Sequence, residues 1–344
     1  MNFDELMMER CLELAANGAG AVAPNPMVGA VIVHKGKIIG EGFHQQFGAA
    51  HAEINAFDSV KDADRYLIRE SELYVNLEPC NHTGKTPPCT DRILREQIKK
   101  VIIGTSDPNP LVSGKGITRL KESGIQVQDN VLSASCRSLN KFYFTFHELH
   151  RPYITIKWAQ SSNHFVAEIT GKPVRFTNKF ADILVHKWRA EHASILVGGK
   201  TIISDDPLLT VRNWQGKNPV RIVINSHDEM NSVLRVFNQD AETILFNFDT
   251  DAIESHVKKI KLDPSEDLLS QIINHLYKLK INSVLVEGGP KTIKKFIDAQ
   301  LWDEAKIFIA SQSVSEGIHA PSIPGRIIQT ETIFDNLLIT TRPL

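Results

Sequence analysis

The sequence has no long apolar run, no block of like charge, no low-complexity segment and few cysteines. Each absence narrows what the chain can be. No apolar stretch nears the roughly 20 residues that a membrane-spanning helix needs, so no membrane partner is expected. A formal net charge of −1 and no Lys/Arg-rich tract leave no field to gather a polyanion, so no nucleic-acid partner is expected either. Four cysteines in 344 residues (Cys11, Cys80, Cys89 and Cys136) are too few for a disulfide scaffold. If two of them hold a metal, the others are expected as buried apolar residues. Asp4, Glu5, Glu9 and Glu13 crowd the start of the chain, unlike a secretory or transit peptide, and a cytoplasmic location is expected. No G-x-G-x-x-G occurs, so a Rossmann domain is unsupported.

What is present reads as an ordinary globular protein, 42% apolar and 23% charged, long enough for two cores. Helical spacing of Phe3, Leu6, Met7, Cys11 and Leu14 predicts a first helix ended by Asn17-Gly18. Apolar runs predict strands over 28–33, 37–42, 73–77, 101–104 and 125–127. Helices are predicted from 51, from 89, near 118–122 and, unbroken, from 132 to 146. Near 147–152 the pattern breaks and a second alternating series begins. Its strands are predicted at 153–158, 194–197, 220–225, 244–246, 283–287, 307–310 and 337–341. Its helices are predicted at 178–189, 268–279 and from 290. Strands alternating with helices imply two layered α/β domains, over 1–147 and 152–344.

The chemistry concentrates between His51 and Cys89. His51-Ala52-Glu53 is followed by Glu78-Pro79-Cys80 and, after eight intervening residues that end in Pro87-Pro88, by Cys89. One imidazole and two thiolates make a three-point zinc site whose fourth tetrahedral position stays open for water. Glu53 is placed to move protons for that water, and the H-x-E…P-C pattern is that of zinc nucleobase deaminases. The competing reading is a closed zinc knuckle that only braces the fold. It needs a fourth ligand, and His82, the nearby candidate, sits an awkward two residues from Cys80. His51 and Cys89 both open helices, where the helix dipole favours thiolate and developing negative charge.

With both halves in view, the chain resembles the bifunctional riboflavin-biosynthesis deaminase–reductase family over nearly its whole length. The N-terminal motifs that carry the resemblance are Pro24-Asn25-Pro26-Met27-Val28-Gly29, Gly42-Phe43-His44, the metal motifs above and Asp107-Pro108-Asn109-Pro110. Other zinc deaminases usually place two residues between the cysteines; the eight-residue interval with His82 and Lys85 points to this family. In the second half the motifs are Lys157, Trp188-Arg189-Ala190, Leu196-Val197-Gly198-Gly199-Lys200-Thr201, Asp205-Asp206-Pro207-Leu208-Leu209-Thr210-Val211-Arg212 and Val286-Glu287-Gly288-Gly289-Pro290.

The resemblance implies a cytidine-deaminase-like N-terminal domain and a dihydrofolate-reductase-like C-terminal domain. The first would deaminate a diaminopyrimidinone ribosylamine 5-phosphate with zinc, held by His51, Cys80 and Cys89, and with Glu53 as catalyst. Asn25, His44, His82 and Lys85 match substrate-gripping positions. The second would reduce the ribosyl group to ribityl with NADPH. Asp205 is its expected acid, and Arg189, Leu209, Arg212 and Glu287 its substrate contacts. Lys157, Ala159, Thr201, Asp205, Ser226, Gly288 and Gly289 match cofactor positions. The partner is a small phosphorylated pyrimidine, and a homo-oligomer is expected. Read without the family, Asn25 is equally a turn former, His44 a solvated loop residue, and Asp205-Asp206-Pro207 a solvated turn.

Four departures stand out. The family's Ser-Leu-Asp-Gly is Ser161-Ser162-Asn163-His164, putting histidine where glycine served a tight turn. Its Trp-Ile-Thr is Arg175-Phe176-Thr177, which removes an expected aromatic contact near the cofactor, and a serine before it is Pro173. Ala50 stands where proline commonly precedes the histidine. One alternative is therefore a monofunctional zinc deaminase with a degenerate, non-reducing second domain. A nucleic-acid base deaminase would need a basic, aromatic channel. A zinc-braced interaction protein would need no Glu53.

Overall fold

The computed structural model describes residues 1–84, 87–169, 174–226 and 230–344. Lys85 and Pro173 lie outside the described residues. The chain divides into two compact units, Met1–His150 and Arg151–Leu344. Among the described residues no helix is long and apolar enough to cross a membrane.

The first unit contains α1 (Phe3–Ala16), β1 (Gly29–His34), β2 (Lys37–Phe43), α2 (Ala52–Ser59), β3 (Glu72–Val75), α3 (Cys89–Glu96), β4 (Lys100–Ile103), α4 (Lys115–Glu122), β5 (Gln126–Gln128), α5 (Ser133–Leu139) and α6 (Lys141–Leu149). Its sheet runs β2-β1-β3-β4-β5, antiparallel on either side of β1 and parallel from β3 onward. Both faces are covered, which explains the continuous apolar strands. Ile32, Leu73 and Val101 meet Phe57 of α2 and Ile93 of α3 on one side. Val31, Tyr74 and Ile102 meet Met8, Cys11 and Cys136 on the other, where Cys11 and Cys136 are buried free thiols.

Two expectations change here. In α1, Phe3 and Leu6 are exposed, and Met7, Met8, Cys11 and Ala15 are the buried stripe. The reason is a close approach: a Cβ on Gly29 would lie 2.1 Å from the Cys11 carbonyl oxygen, so β1 presses on the helix backbone at that stripe. The helix expected over 132–146 is two helices. Asn140 leaves helical geometry (φ −98°, ψ 26°), and its buried side chain accepts from Met27 N at 2.7 Å and donates to Met27 O at 2.9 Å. Helical spacing cannot show a break whose cause lies more than a hundred residues away.

The second unit contains β6 (Tyr153–Gln160), β7 (Phe165–Glu168), α7 (Lys179–Glu191), β8 (Ser194–Gly198), α8 (Gly199–Asp205), β9 (Val220–Ile224), β10 (Thr243–Asn247), β11 (Ala252–Glu254), β12 (Val257–Lys261), α9 (Leu268–Lys278), β13 (Ser283–Gly288), α10 (Pro290–Asp298), β14 (Glu304–Ala310), β15 (Gly317–His319), β16 (Arg326–Ile333) and β17 (Asn336–Arg342). Ten strands form one sheet, ordered β11-β12-β10-β9-β8-β13-β6-β14-β17-β16. From β12 to β14 the strands are parallel, and β11, β17 and β16 are antiparallel additions. The apolar core sets Ile156, Leu196, Ile222, Phe246 and Val286 against Ile272 and Leu276 of α9 and Phe296 of α10.

Elements that the apolar pattern missed are short or edge pieces. β16 is exposed along nearly its whole length and carries no burial signal. At the departure from the family's turn, His164 adopts a left-handed backbone (φ 65°). A side chain there costs roughly 1–2 kcal/mol. The turn is held by Phe165 N donating to Ser161 Oγ at 2.9 Å and by a Gln160 Nε2–His164 Nδ1 contact at 2.9 Å.

Candidate active sites

In the first unit the sheet's central strands and two helix starts converge. His51 is the N-cap of α2, Cys89 the first residue of α3, and Cys80 lies on the loop that leaves β3. Their ligand atoms all lie within 4.8 Å of one another. His51 Nδ1 is 3.2 Å from Cys89 Sγ and 3.5 Å from Cys80 Sγ. A tetrahedral zinc with ordinary Zn–S and Zn–N bonds places such donors about 3.5 Å apart, so the donor set fits that ion. Among the described residues no fourth His, Cys, Asp or Glu joins the cluster, and His82 is exposed.

The electrostatics favour ionised sulfur at Cys80. A hydrogen bond from Cys89, then contacts with His51, hold the Cys80 thiol down to about 4 against the cost of burial. The backbone N–H of Cys89 also donates to Cys80 Sγ at 3.3 Å. As the donor of that pair, the buried Cys89 thiol is raised. His51 is raised by its bond to Cys80.

Glu53 sits in the first turn of α2 and is 3% exposed. Burial pushes its carboxyl up, and it lies within hydrogen-bonding reach of Cys89. Beside it, His44 is buried, its ring 5.3 Å from that of His51. His44 Nδ1 lies 3.0 Å from Ala50 O and Nε2 lies 3.1 Å from Asn25 Nδ2. A carbonyl accepts and an amide nitrogen donates, so the imidazole is neutral with its proton on Nδ1. That turns the Asn25 carbonyl oxygen away from the ring. Burial lowers His44, in keeping with a neutral ring.

Two buried carboxyls escaped sequence reasoning. Burial raises Asp107 to about 7 although Asn109 N and Tyr143 OH donate to its Oδ1, at 2.8 and 3.0 Å. Glu78, 3% exposed, accepts four backbone N–H groups from the 107–117 stretch. Each stands immediately before a proline, Pro79 or Pro108, which was the available signal, but nothing in the sequence says which groups it faces.

In the second unit a cavity of about 1040 Å³ opens at the C-terminal ends of β6, β8, β9, β10 and β13. Parallel α/β sheets bind ligands at that end. Lys157, Ala159, Thr201, Asp205, Ser226, Glu287, Gly288 and Gly289 all line it. Phe176 lines it too, 5% exposed, so an aromatic does stand in the wall although Arg175 replaces tryptophan. Arg175 instead pairs with Asp182. Burial lowers Lys157, with Glu287 opposing and Arg189 reinforcing the shift.

Arg189, Leu209 and Arg212 are not among the lining residues. Arg189 forms a two-pronged pair with Glu287 at 2.7 Å for each bond and donates to Thr210 O at 3.2 Å, so most of its fork is engaged. Burial alone would raise Glu287, but Arg189 brings it down to about 2. Leu209 is 3% exposed and packs with Ile195, Val197 and Val223. Arg212 is exposed, and its N–H donates to His186 Nδ1 at 3.0 Å. Burial, then Arg189 and Arg212, lower His186 to about 4, which keeps that nitrogen an acceptor.

Comparison with known proteins matches both halves. Residues 1–105 match the cytidine and deoxycytidylate deaminase zinc-binding region, and residues 152–326 match the RibD C-terminal domain. The riboflavin biosynthesis protein RibD of Aquifex aeolicus is 39% identical over 334 residues, covering 95% of this chain and 92% of that protein. RibD of Escherichia coli is 34% identical over 325 residues, covering 89% and 87%. A crystal structure from Thermotoga maritima, a diaminohydroxyphosphoribosylaminopyrimidine deaminase/5-amino-6-(5-phosphoribosylamino)uracil reductase, superposes with a TM-score of 0.91 at 37% identity over 99% of each chain. The monofunctional alternative is not favoured, since the reductase half matches as well as the deaminase half. The chain belongs to the bifunctional riboflavin-biosynthesis deaminase–reductase family, an enzyme that joins a cytidine-deaminase-like domain to a reductase domain.

Proposed function

We propose that the first unit hydrolytically deaminates the ring of a diaminopyrimidinone ribosylamine 5-phosphate and that the second reduces the product's ribosyl group to ribityl. One observation carries the first half: an imidazole and two cysteine sulfurs at zinc spacing stand beside the buried carboxyl of Glu53. When bound, zinc supplies a water acidified towards neutrality, and NADPH supplies a hydride. His51, Cys80 and Cys89 hold the metal. Glu53 takes a proton at its carboxylate and returns protons to the ring nitrogen and the departing ammonia, and the upward push of burial on its carboxyl helps it hold a proton between the two steps. The Asn25 carbonyl and the neutral His44 fix the pyrimidine edge.

In the second unit, Gly288 and Gly289 at the start of α10 offer backbone room for cofactor phosphate, in a cavity large enough for a dinucleotide. Lys157 and Asp205 face the same space and are positioned to orient substrate and manage the proton that accompanies reduction. Thiolate ligands and a nicotinamide reductant both suit a reducing compartment, so we place the enzyme in the cytoplasm.

The test follows ammonia and NADPH separately. Glu53→Gln should keep zinc and the reduction of supplied deaminated substrate, yet lose ammonia release by at least about 10²-fold. Parental ammonia release in that variant, or purified protein without zinc, would refute the proposal.

A further inference from the structure

Outside the ligands themselves, one helix touches the residues on both sides of the metal loop. At the start of α4, Glu78 Oε1 accepts from Gly116 N and Ile117 N at 3.0 and 3.2 Å. Its Oε2 accepts from Gly114 N and Asp107 N at 3.0 and 3.2 Å. Glu78 is two residues before Cys80, so the strand end that delivers this sulfur is tied to the helix. The tie is close: a Cβ on Gly116 would lie 2.1 Å from the Pro79 carbonyl oxygen.

One turn along α4, Arg119 completes the other connection. Its Nη1 lies 2.7 Å from Asn81 Oδ1, 3.1 Å from Thr90 Oγ1 and 2.7 Å from Asp91 Oδ1. Asn81 follows Cys80, and Thr90 follows Cys89. These two also meet directly, Thr90 Oγ1 donating to Asn81 Oδ1 at 3.0 Å and Thr90 N to Cys80 O at 3.2 Å. Thr90 is fully buried. Each sulfur is therefore flanked by a residue held to one rigid helix, although eight residues separate them in sequence.

We propose that Glu78 and Arg119 are positioning residues that act through α4 to fix the separation of the two cysteine sulfurs. Neither belongs to the donor cluster of His51, Cys80 and Cys89. Groups outside the ligand shell hold ligand geometry, and losing one typically lowers metal affinity about 10–100-fold. The proposal rests on zinc occupying His51, Cys80 and Cys89.

The full-length zinc-loaded enzyme is compared with Arg119→Gln, Arg119→Lys, Glu78→Gln and a control, Arg92→Gln. The control breaks ion pairs with Asp58 of α2 and Glu96 of α3, neither of which flanks a ligand. Glu78→Gln necessarily points an amide NH₂ at two N–H donors. Zinc release to a chromophoric chelator is timed, deaminase kcat and KM are measured, and the calorimetric transition of the first unit confirms folding. We expect zinc release at least about tenfold faster in Arg119→Gln and Glu78→Gln, less in Arg119→Lys, and parental in Arg92→Gln. Deaminase kcat should fall, with KM within about twofold of the parent.

Parental zinc release in Arg119→Gln overturns the proposal, as does equal acceleration in Arg92→Gln. If Glu78→Gln does not fold, the Arg119 pair decides. A parent enzyme that holds no zinc refutes instead the functional proposal beneath it.

Discussion

Replacing Arg189 by Met tests how the reductase unit carries its buried charges. The pair with Glu287 is nearly dry, with side-chain exposures of 12% and 8%. Glu287 sits at about 2 against an ordinary 4.5. That difference of about 2.5 units is worth about 3.4 kcal/mol when fully expressed. Removing one member of a buried pair costs about 3–5 kcal/mol, so two routes give a similar size. The sign follows from the lowered pKa. Stability is fully present above the unfolded value of 4.5 and is lost as pH falls towards about 2. Between pH 6 and pH 3 the parent should lose about 2 kcal/mol of this contribution, and the variant should not.

The assay is specific because Trp158, Trp188, Trp214 and Trp302 all lie in the second unit. Urea unfolding read by tryptophan fluorescence therefore reports that unit alone. Arg189→Met should lower its stability by about 3 kcal/mol at pH 7, with the deficit shrinking at pH 3. A loss below about 1 kcal/mol at pH 7, or one that is the same at pH 3, would refute the reasoning.

Two further outcomes are expected. Asp107, held near 7 against an ordinary 3.8, titrates with the opposite sense: folding favours its protonated form, so stability falls as pH rises from about 3.8 to about 7. Asp107→Asn should stabilise the first unit by up to about 4 kcal/mol at pH 8 and by little near pH 4, read from its calorimetric transition; equal shifts at both pH values would contradict this. His164→Gly relieves a left-handed side chain at the cost of its Gln160 contact, and should raise the urea midpoint of the second unit by an amount worth about 0.5–1 kcal/mol; an unchanged or lower midpoint would show that the contact outweighs the strain.

Much of this molecule was written in residue types and spacings. His51, Glu53, Cys80 and Cys89 announce a metal and a proton carrier because few other chemistries use that set. Buried parallel strands announce themselves as apolar runs, since both faces are covered. Gly288 and Gly289, a glycine pair at a strand end, line the cavity of the second unit. Only tertiary structure could decide who meets whom. Arg189 and Glu287 each read as a substrate contact in sequence, yet in space they bind each other. Leu209 reads as pocket lining and is core. Asn140 breaks a helix to serve Met27, Glu78 binds the start of α4, and Arg119 of that helix reaches Asn81 and Thr90 beside the two cysteines. The physical reason is common to all four: a side chain's partners, polar or apolar, are set by distance after folding, and local spacing carries no record of them.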